Sequence, residues 1–190
     1  MNFLTDDSEQ DGSGPSLPNI LITGTPGSGK TTCSQEASRI LDDFMHFNVG
    51  DFVKENACHE GRDESFDTFI LDEDKLLDGM EPILSKGGVI VDFHSPEIFP
   101  ERWFDLVLVL RVNTQVLYDR LSKRGYNSKK IDENMSCEIM NVVSEEAHES
   151  YDDAIVHELD FNTLEDMDGA MDRIKSWFDA WKVDNSNEES

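Results

Sequence analysis

The segment Gly24-Thr25-Pro26-Gly27-Ser28-Gly29-Lys30-Thr31 decides the fold of this chain. It matches the pattern Gly-x-x-x-x-Gly-Lys-Ser/Thr, a loop whose backbone N–H groups surround phosphate. The apolar run Asn19–Thr23 precedes it and a stretch of helical periodicity, 30–42, follows it. This strand, loop and helix order is the context that the motif requires, so we predict a phosphate-binding loop of the P-loop class.

Each residue type in this loop has a chemical role. Gly27 and Gly29 allow the backbone to wrap closely around an anion, and the helix that follows adds the positive end of its dipole. Lys30 supplies a point charge to the β and γ phosphates of a nucleotide, and Thr31 supplies a hydroxyl to a bound Mg²⁺. We therefore expect Mg²⁺ with ATP as the cofactor.

A second motif, Val89-Ile90-Val91-Asp92, is an apolar strand that ends in a carboxylate. P-loop enzymes hold Mg²⁺ with such an Asp on a neighbouring strand, here through the water shell of the ion. His94 lies two residues further, on the same side of an extended chain. It either orients an attacking water or a phosphate, or it is an ordinary loop histidine, and the sequence leaves both open.

Basic residues are concentrated after the strand Asp105–Leu110. Arg120 and Arg124 are one helical turn apart and can converge on the transferring phosphoryl group, with Arg111 as a further candidate. The segment Gly125–Lys130 suits a short mobile lid. The alternative is a solvated basic face with a hinge turn. The phosphate site is favoured over this alternative, because the stretch 131–172 contains no Lys or Arg and the basic residues are therefore concentrated around the proposed site.

Five apolar runs alternate with helical stretches, which predicts a parallel α/β sheet flanked by helices. We expect a disordered acidic leader at 1–18, a globular domain at 19–182 and an acidic tail at 183–190. The predicted strands are Asn19–Thr23, Met45–Asn48, Gly88–Asp92, Asp105–Leu110 and Ala154–Leu159, and the predicted helices are 30–42, 51–60, 72–86, 114–124, 132–150 and 164–181.

Composition narrows the function classes further. The 190 residues carry 16 Lys+Arg and 41 Asp+Glu, a net charge of −25. Such a charge disfavours unspecific binding to nucleic acid or to anionic membranes and favours basic partners. Three widely spaced cysteines fit reduced thiols, and the acidic N-terminus is unlike a signal or transit peptide, so we expect a nuclear or cytosolic protein. The guanine-specifying Asn/Thr-Lys-x-Asp motif of GTPases is absent.

Several segments together carry a more specific resemblance: 18–32 around the loop, Asn48-Val49-Gly50-Asp51, Ile70-Leu71-Asp72-Glu73-Asp74, 87–94, Phe99-Pro100-Glu101-Arg102-Trp103 and Arg124-Gly125-Tyr126-Asn127. They resemble the adenylate kinase isoenzyme 6 family over about residues 18–182. The resemblance implies an adenylate-kinase-like five-stranded parallel sheet, with an NMP-binding segment at about 48–71 and a lid at about 123–133.

The resemblance also implies site residues. The ATP-binding loop of the family corresponds to Gly27, Ser28, Gly29, Lys30, Thr31 and Thr32, its lid arginine to Arg124, and its Asp-x-His element to Asp92 and His94. Together with Arg120, the residues Lys30, Asp92, His94 and Arg124 form the expected catalytic set. AMP is expected near Asn48, Gly50, Asp51 and Lys54. Lys54 stands where the family commonly has Arg, which keeps the charge but loses the bidentate geometry.

In activity, the resemblance implies ATP + AMP to two ADP, ATP hydrolysis and a role in small ribosomal subunit maturation and 18S rRNA processing. It implies binding of a basic small-subunit ribosomal protein, and we expect a monomer without direct sequence-specific nucleic acid or membrane binding. The alternative is a nucleotide-regulated assembly factor with weak or vestigial kinase activity. ADP formation with and without AMP discriminates the two.

Overall fold

A computed structural model describes residues 17–64 and 68–186 of the chain. The predicted disorder of the leader falls on residues 1–16, which lie outside the described residues, as do residues 187–190 of the predicted tail. The described strands are β1 Ile20–Thr23, β2 Met45–Asn48, β3 His59–Asp63, β4 Thr68–Leu71, β5 Val89–Asp92, β6 Leu106–Arg111 and β7 Val156–Asp160. The helices are α1 Lys30–Ile40, α2 Val49–Glu55, α3 Glu73–Leu84, α4 Thr114–Lys123, α5 Ser128–Ile139, α6 Val142–Ser150 and α7 Leu164–Ser186, with two short 3₁₀ helices at Pro96–Ile98 and Glu101–Trp103.

The predicted five-stranded parallel sheet is confirmed, and its order is β2-β5-β1-β6-β7. The strand β1 is central, and every residue in it is buried. Strands covered on both faces bury continuous apolar runs rather than alternating ones, which explains the sequence of β1, β5 and β6. The chain leaves β1 towards β2 on one side and later adds β6 on the other. The carboxyl end of β1 therefore lies at a topological switch point, where ligands of such sheets bind.

Successive side chains of β1 enter two separate cores, one on each face of the sheet. Leu21 packs in a core with residues of α2, α3 and α6, whereas Ile20 and Ile22 pack with residues of α1 and α7. A third, smaller cluster under α4 and α5 contains Leu117 and Leu121. These cores fix the loop after β1 between rigid elements. No helix in the described part of the chain is long and apolar enough to cross a membrane.

Two helix predictions were wrong. The predicted helix 51–60 is the shorter α2, after which the chain turns at Ala57 (φ 50°) into an antiparallel β3–β4 hairpin. The predicted helix 132–150 is two helices, α5 and α6, separated where Asn141 adopts the left-handed conformation (φ 56°). In the second case a tertiary contact accompanies the break, because Arg111 donates a hydrogen bond to the Asn141 side chain. Long-range bonds of this kind leave no periodic signal in a sequence.

Candidate active site

The phosphate-binding loop connects β1 to α1 and has the strand, loop and helix geometry expected from the sequence. Gly27 and Gly29 have φ of 97° and 106°, a region that side chains other than Gly rarely adopt. A Cβ atom at Gly27 would come within 2.9 Å of Leu117 and Leu121, and one at Gly29 within 2.7 Å of Phe161. Both glycines are therefore required by conformation and by space.

Lys30, the first residue of α1, folds its side chain back over the loop. Its Nζ donates hydrogen bonds to the carbonyl oxygens of Gly24 (2.9 Å) and Thr25 (3.3 Å). Burial lowers the pKa of Lys30 to about 8, with Asp92 opposing the shift and the charge of Arg124 adding to it. The ammonium group lacks a full counter-charge here, so an anionic phosphate is the ligand that this environment favours.

The predicted pairing of loop and carboxylate is present. Thr31 Oγ1 donates a 2.6 Å hydrogen bond to Asp92 Oδ2, which joins α1 to the end of β5. Asn48 Nδ2 donates to the same oxygen at 2.8 Å, and His46 Nε2 lies 3.3 Å from it. Burial would raise the pKa of Asp92, but the contacts with His46 and Thr31, the charge of Lys30 and the Asn48 bond hold it below its ordinary value.

This arrangement fits Mg²⁺. The hydroxyl of Thr31 and the ionised carboxylate of Asp92, which is 3% exposed, are hard oxygen donors at the mouth of the loop. Mg²⁺ at such sites keeps several waters and takes its remaining ligands from one or two protein oxygens and from phosphates. Thr31 and Asp92 would hold the ion here, and bound Mg²⁺ would neutralise phosphate charge.

Arg120 lies beside the loop and is bonded to backbone. Its guanidinium donates to the carbonyl oxygens of Gly27 (3.3 Å) and Ser28 (2.9 Å), and on its other side to those of Phe161 (3.1 Å) and Asn162 (3.3 Å). The residue thus clamps the loop to the segment after β7. This observed role is positioning, and direct contact of Arg120 with a transferring phosphoryl group stays a prediction.

A cavity of about 410 Å³ lies on this side of the loop. Its polar lining includes Thr32, Arg120, Arg124 and Asn162, and its apolar lining includes Phe161, Leu164 and Met167. Gly27 and Gly29 form the wall of the cavity that belongs to the loop. The side chain of Ser28 is fully buried, and its carbonyl oxygen accepts from Arg120. The cavity has the position and the chemistry of a site for the base and ribose of a nucleotide.

A larger cleft of about 860 Å³ lies on the other side of the loop, towards α2 and α5. Basic side chains line it from four segments of the chain: Lys54 of α2, Arg62 of β3, His94 after β5 and Lys130 of α5. Four acids, Glu73, Glu97, Glu133 and Glu146, line it as well. Of the predicted AMP residues, Gly50 and Lys54 line this cleft. Asn48 and Asp51 are not among the described residues that line it. Asn48 instead caps α2, since its Oδ1 accepts from the Asp51 N–H at 2.9 Å.

Lys54 reaches the cleft from α2 and lies 3.6 Å from the Asp51 carboxylate, with both side chains more than half exposed. An exposed pair of this kind is worth little, at most about 1 kcal/mol. The Lys54 ammonium is therefore able to leave Asp51 for a phosphate. Tyr126 and Lys130 approach from the predicted lid segment, and the Lys130 ammonium lies 4.3 Å from the centre of the Tyr126 ring.

His94 lies between the loop and this cleft, with an accessible side chain that packs against the Phe93 ring at 4.5 Å between centroids. Crowding by protein atoms and the charges of Lys30 and Lys130 lower its pKa to about 4, while Asp92 opposes the shift. Part of the ring is accessible, which weakens the effect of burial, but the charges of Lys30 and Lys130 also lower the pKa of His94. The imidazole is therefore neutral near pH 7.

Arg111 does not face the loop. Its Nε donates to Glu138 at 2.9 Å and its Nη1 to Glu158 at 2.9 Å, so both ends of the guanidinium are held by carboxylates. The suggestion that Arg111 neutralises transferring phosphate is therefore not supported by its position. Arg124, by contrast, lines the 410 Å³ cavity and is close enough to Lys30 to affect the pKa of that residue.

Sequence reasoning missed three contributors to the site. His46 and the second role of Asn48 come from β2, and Glu138 comes from α5. The polar positions of β2 offered a signal, because its carboxyl end must lie next to that of β5 in a sheet of this class. Glu138 offered none, since one acid in a strongly acidic helix does not reveal that it is buried.

Comparisons with known proteins first define the class. The fold matches a shikimate kinase from Bacteroides thetaiotaomicron (TM-score 0.59, 17% identity, 85% of this chain and 98% of that chain). It also matches a gluconokinase from Sinorhizobium meliloti (TM-score 0.57, 12% identity, 90% and 98%). A family model described as an AAA domain matches residues 20–141. The molecule is thus a P-loop protein with a kinase-type fold.

Sequence relatives then define the family. The chain is 49% identical to the adenylate kinase isoenzyme 6 homolog FAP7 of Saccharomyces cerevisiae, covering 86% of this chain and 83% of the relative. It is 47% identical to the adenylate kinase isoenzyme 6 homolog of Dictyostelium discoideum, covering 89% and 96%. The chain belongs to the adenylate kinase isoenzyme 6 family, as its motifs indicated.

Proposed function

We propose that the chain is an adenylate kinase that converts ATP and AMP to two ADP and also hydrolyses ATP. The observation that carries the proposal is the placement of two cavities on opposite sides of one phosphate loop. The cavity lined by Arg120 and Arg124 suits the base of ATP. The larger cleft, which Lys54 lines, suits a second, anionic nucleotide. Two nucleotides bound in this way would meet near Lys30 and His94.

In the proposed reaction the γ-phosphoryl group of ATP moves to an oxygen of the AMP phosphate. One phosphoanhydride bond breaks and one forms, so the charges balance without release of a proton. The protein contributes positioning and electrostatics, with no covalent intermediate. Lys30 and Arg124 would neutralise phosphate charge, Arg120 would keep the loop in shape, and Thr31 and Asp92 would hold Mg²⁺.

For hydrolysis, water replaces AMP as the acceptor, and the products are ADP, phosphate and a proton. The neutral imidazole of His94 at the edge of the cleft is suited to orient this water by accepting a hydrogen bond from it. The same cleft would serve both reactions, so AMP should compete with hydrolysis.

The test is ADP formation from ATP by the purified chain, with and without AMP. We expect AMP to raise ADP formation, and Lys30→Ala to lower the rate about 10²- to 10³-fold because it removes one preorganised charge. Activity of Lys30→Ala at the level of the unsubstituted protein would overturn the proposal. A screen of other nucleoside monophosphates would define the acceptor.

A second candidate function rests on charge. The chain has a net charge of −25, and the stretch 131–172, which forms most of α5, α6, β7 and the start of α7, contains no Lys or Arg. This supports a nucleotide-regulated assembly factor for a basic small-subunit ribosomal protein, acting in small ribosomal subunit maturation in the nucleus and cytoplasm. If such a protein changes ATP turnover and AMP does not, this function is favoured over nucleotide homeostasis.

A further inference from the structure

Glu138 is a buried carboxylate that the proposed reaction does not use. It lies on α5 and is 5% exposed. Its Oε2 accepts a 2.6 Å hydrogen bond from Thr25 Oγ1, and its Oε1 accepts from Arg111 Nε at 2.9 Å and from the Val112 N–H at 3.1 Å. One carboxylate therefore joins α5, the end of β6 and the phosphate loop.

The bond to Thr25 connects Glu138 to Lys30, the residue expected to bind phosphate. The carbonyl oxygen of Thr25 accepts from the Ser28 N–H at 2.9 Å and from Lys30 Nζ at 3.3 Å. Thr25 is itself 1% exposed, so its side chain has no access to solvent as an alternative partner. A change in the position of Thr25 would thus shift the loop backbone and the Lys30 ammonium together.

The helix that carries Glu138 also forms the wall of the larger cleft. Lys130, Asn134 and Cys137 line the cleft from one face of α5, at spacings of four and three residues. Glu138 follows directly after them and points to the loop instead. Glu138, near the C-terminal end of α5, therefore links the phosphate loop to the helix whose N-terminal end lies in the predicted lid.

Arg111 completes the anchor. Besides Glu138 Oε1, its guanidinium contacts the Glu138 carbonyl oxygen at 3.2 Å and Glu158 Oε2 at 2.9 Å. Glu158 Oε1 in turn accepts from Ser144 Oγ at 2.7 Å, which extends the network to α6 and β7. The negative charge of Glu138 is thus compensated, and the carboxylate is held in one orientation.

We propose that Glu138 is a positioning residue of the phosphate-transfer site, which sets the phosphate loop through Thr25 and ties it to the helix that bears the lid. The inference rests on the proposed kinase function. Its consequence is that the hydroxyl of Thr25 and the carboxylate of Glu138 act as one unit in catalysis. A misplacement of the loop by about 1 Å is enough to lower a rate about 100-fold.

The experiment is a double-mutant cycle of Thr25→Val, Glu138→Gln and the double variant, in the full chain. Thr25→Val removes only the hydroxyl at nearly constant volume, and Thr25→Ser restores a hydroxyl. Glu145→Gln is the matched control, because Glu145 is an exposed acid on α6 with the same charge change. Binding-competent protein is counted by ATP titration, and kcat, the KM values for ATP and AMP and the melting temperature are measured for each variant.

We expect Thr25→Val and Glu138→Gln each to lower kcat per binding-competent molecule about 10- to 100-fold. KM for AMP should change less than threefold, Thr25→Ser should recover most of kcat, and the double variant should lose no more than the worse single variant.

The inference is overturned if Thr25→Val keeps kcat within twofold, if the losses multiply, or if kcat per competent molecule is unchanged while only the melting temperature falls. An unsubstituted protein that makes no ADP from ATP and AMP refutes the proposed function instead, and the ATP affinities of the variants then still report whether the loop has shifted.

Discussion

At the scale of single residues, the electrostatic environment of Lys30 has a consequence for pH dependence. Its pKa in the free protein is lowered to about 8, so the ammonium is lost as pH rises through that value. Because kcat/KM reports the groups of the free enzyme, we expect kcat/KM for ATP to fall above about pH 8. Phosphates bound next to Lys30 raise its pKa, so kcat should persist to higher pH. Initial rates at pH 6 to 10 measure both, and parallel declines of the two parameters would contradict this assignment.

His94 offers a second prediction at this scale. Its neutral imidazole lies at the edge of the cleft, where it can orient a water molecule. We expect His94→Gly to lower ATP hydrolysis by about 10²-fold or more while ATP affinity stays within about threefold. Single-turnover hydrolysis and equilibrium ATP titration separate the two quantities. An equal loss of ATP affinity would show that His94 binds the nucleotide instead.

Lys54 is the residue at which acceptor binding can be improved. A lysine gives a phosphate one point charge, whereas an arginine gives two parallel hydrogen bonds. We therefore expect Lys54→Arg to lower KM for AMP about 3- to 10-fold, with KM for ATP unchanged. Steady-state kinetics with AMP varied at saturating ATP test this. An unchanged KM for AMP would mean that Lys54 does not contact the acceptor phosphate.

At the scale of elements, the break between α5 and α6 depends on Asn141. Asn tolerates the left-handed conformation better than Ala, and its side chain also accepts from Arg111. We expect Asn141→Ala to lower the free energy of unfolding by about 1–2 kcal/mol, because it combines backbone strain with a lost hydrogen bond. Asn141→Gly, which removes only the bond, should cost about half as much. Urea unfolding measures both, and equal costs would mean that the conformation contributes nothing.

At the scale of the whole molecule, the net charge of −25 predicts salt-dependent binding of basic partners. Attraction between exposed charges is screened over about 10 Å at 0.1 M salt. We expect a lysine-rich peptide to bind the chain with a Kd that increases at least tenfold between about 50 and 300 mM salt. Fluorescence anisotropy measures it, and a Kd independent of salt would contradict an electrostatic surface.

Substitutions can test whether the acidic residues of α7 contribute to peptide binding. Replacing Glu165, Asp168 and Asp172 with their amides should weaken peptide binding more than the same replacement of three exposed acids outside the 131–172 stretch, Glu55, Asp74 and Asp78. Both variants change the net charge by the same amount, so a difference between them reports position. Equal effects would indicate that only the total charge matters.

The sequence by itself determined the class of fold and the centre of the site. The loop motif and the strand ending in Asp92 are local patterns whose spacing is dictated by phosphate and magnesium chemistry, so they can be read without coordinates. The inner strands β1, β5 and β6 were also predictable, because strands buried on both faces are continuous apolar runs. The edge strands β2 and β7 are only partly buried. Where the helix predictions failed, before the β3–β4 hairpin and at the α5–α6 break, the chain turns at single residues with positive φ, Ala57 and Asn141. Hydrophobic periodicity does not reveal such residues.

Only the tertiary structure decided how the remaining charged residues divide their roles. Arg111 and Arg120 look alike in the sequence, yet one is held by two carboxylates and the other by four backbone carbonyls. Glu138 is one acid among 41 Asp and Glu in the sequence, yet it is buried on α5 and bonded to both the loop and the residue after β6. The physical reason is that a charge acts through its distance to partners and its desolvation, and both are set by elements far apart in the chain.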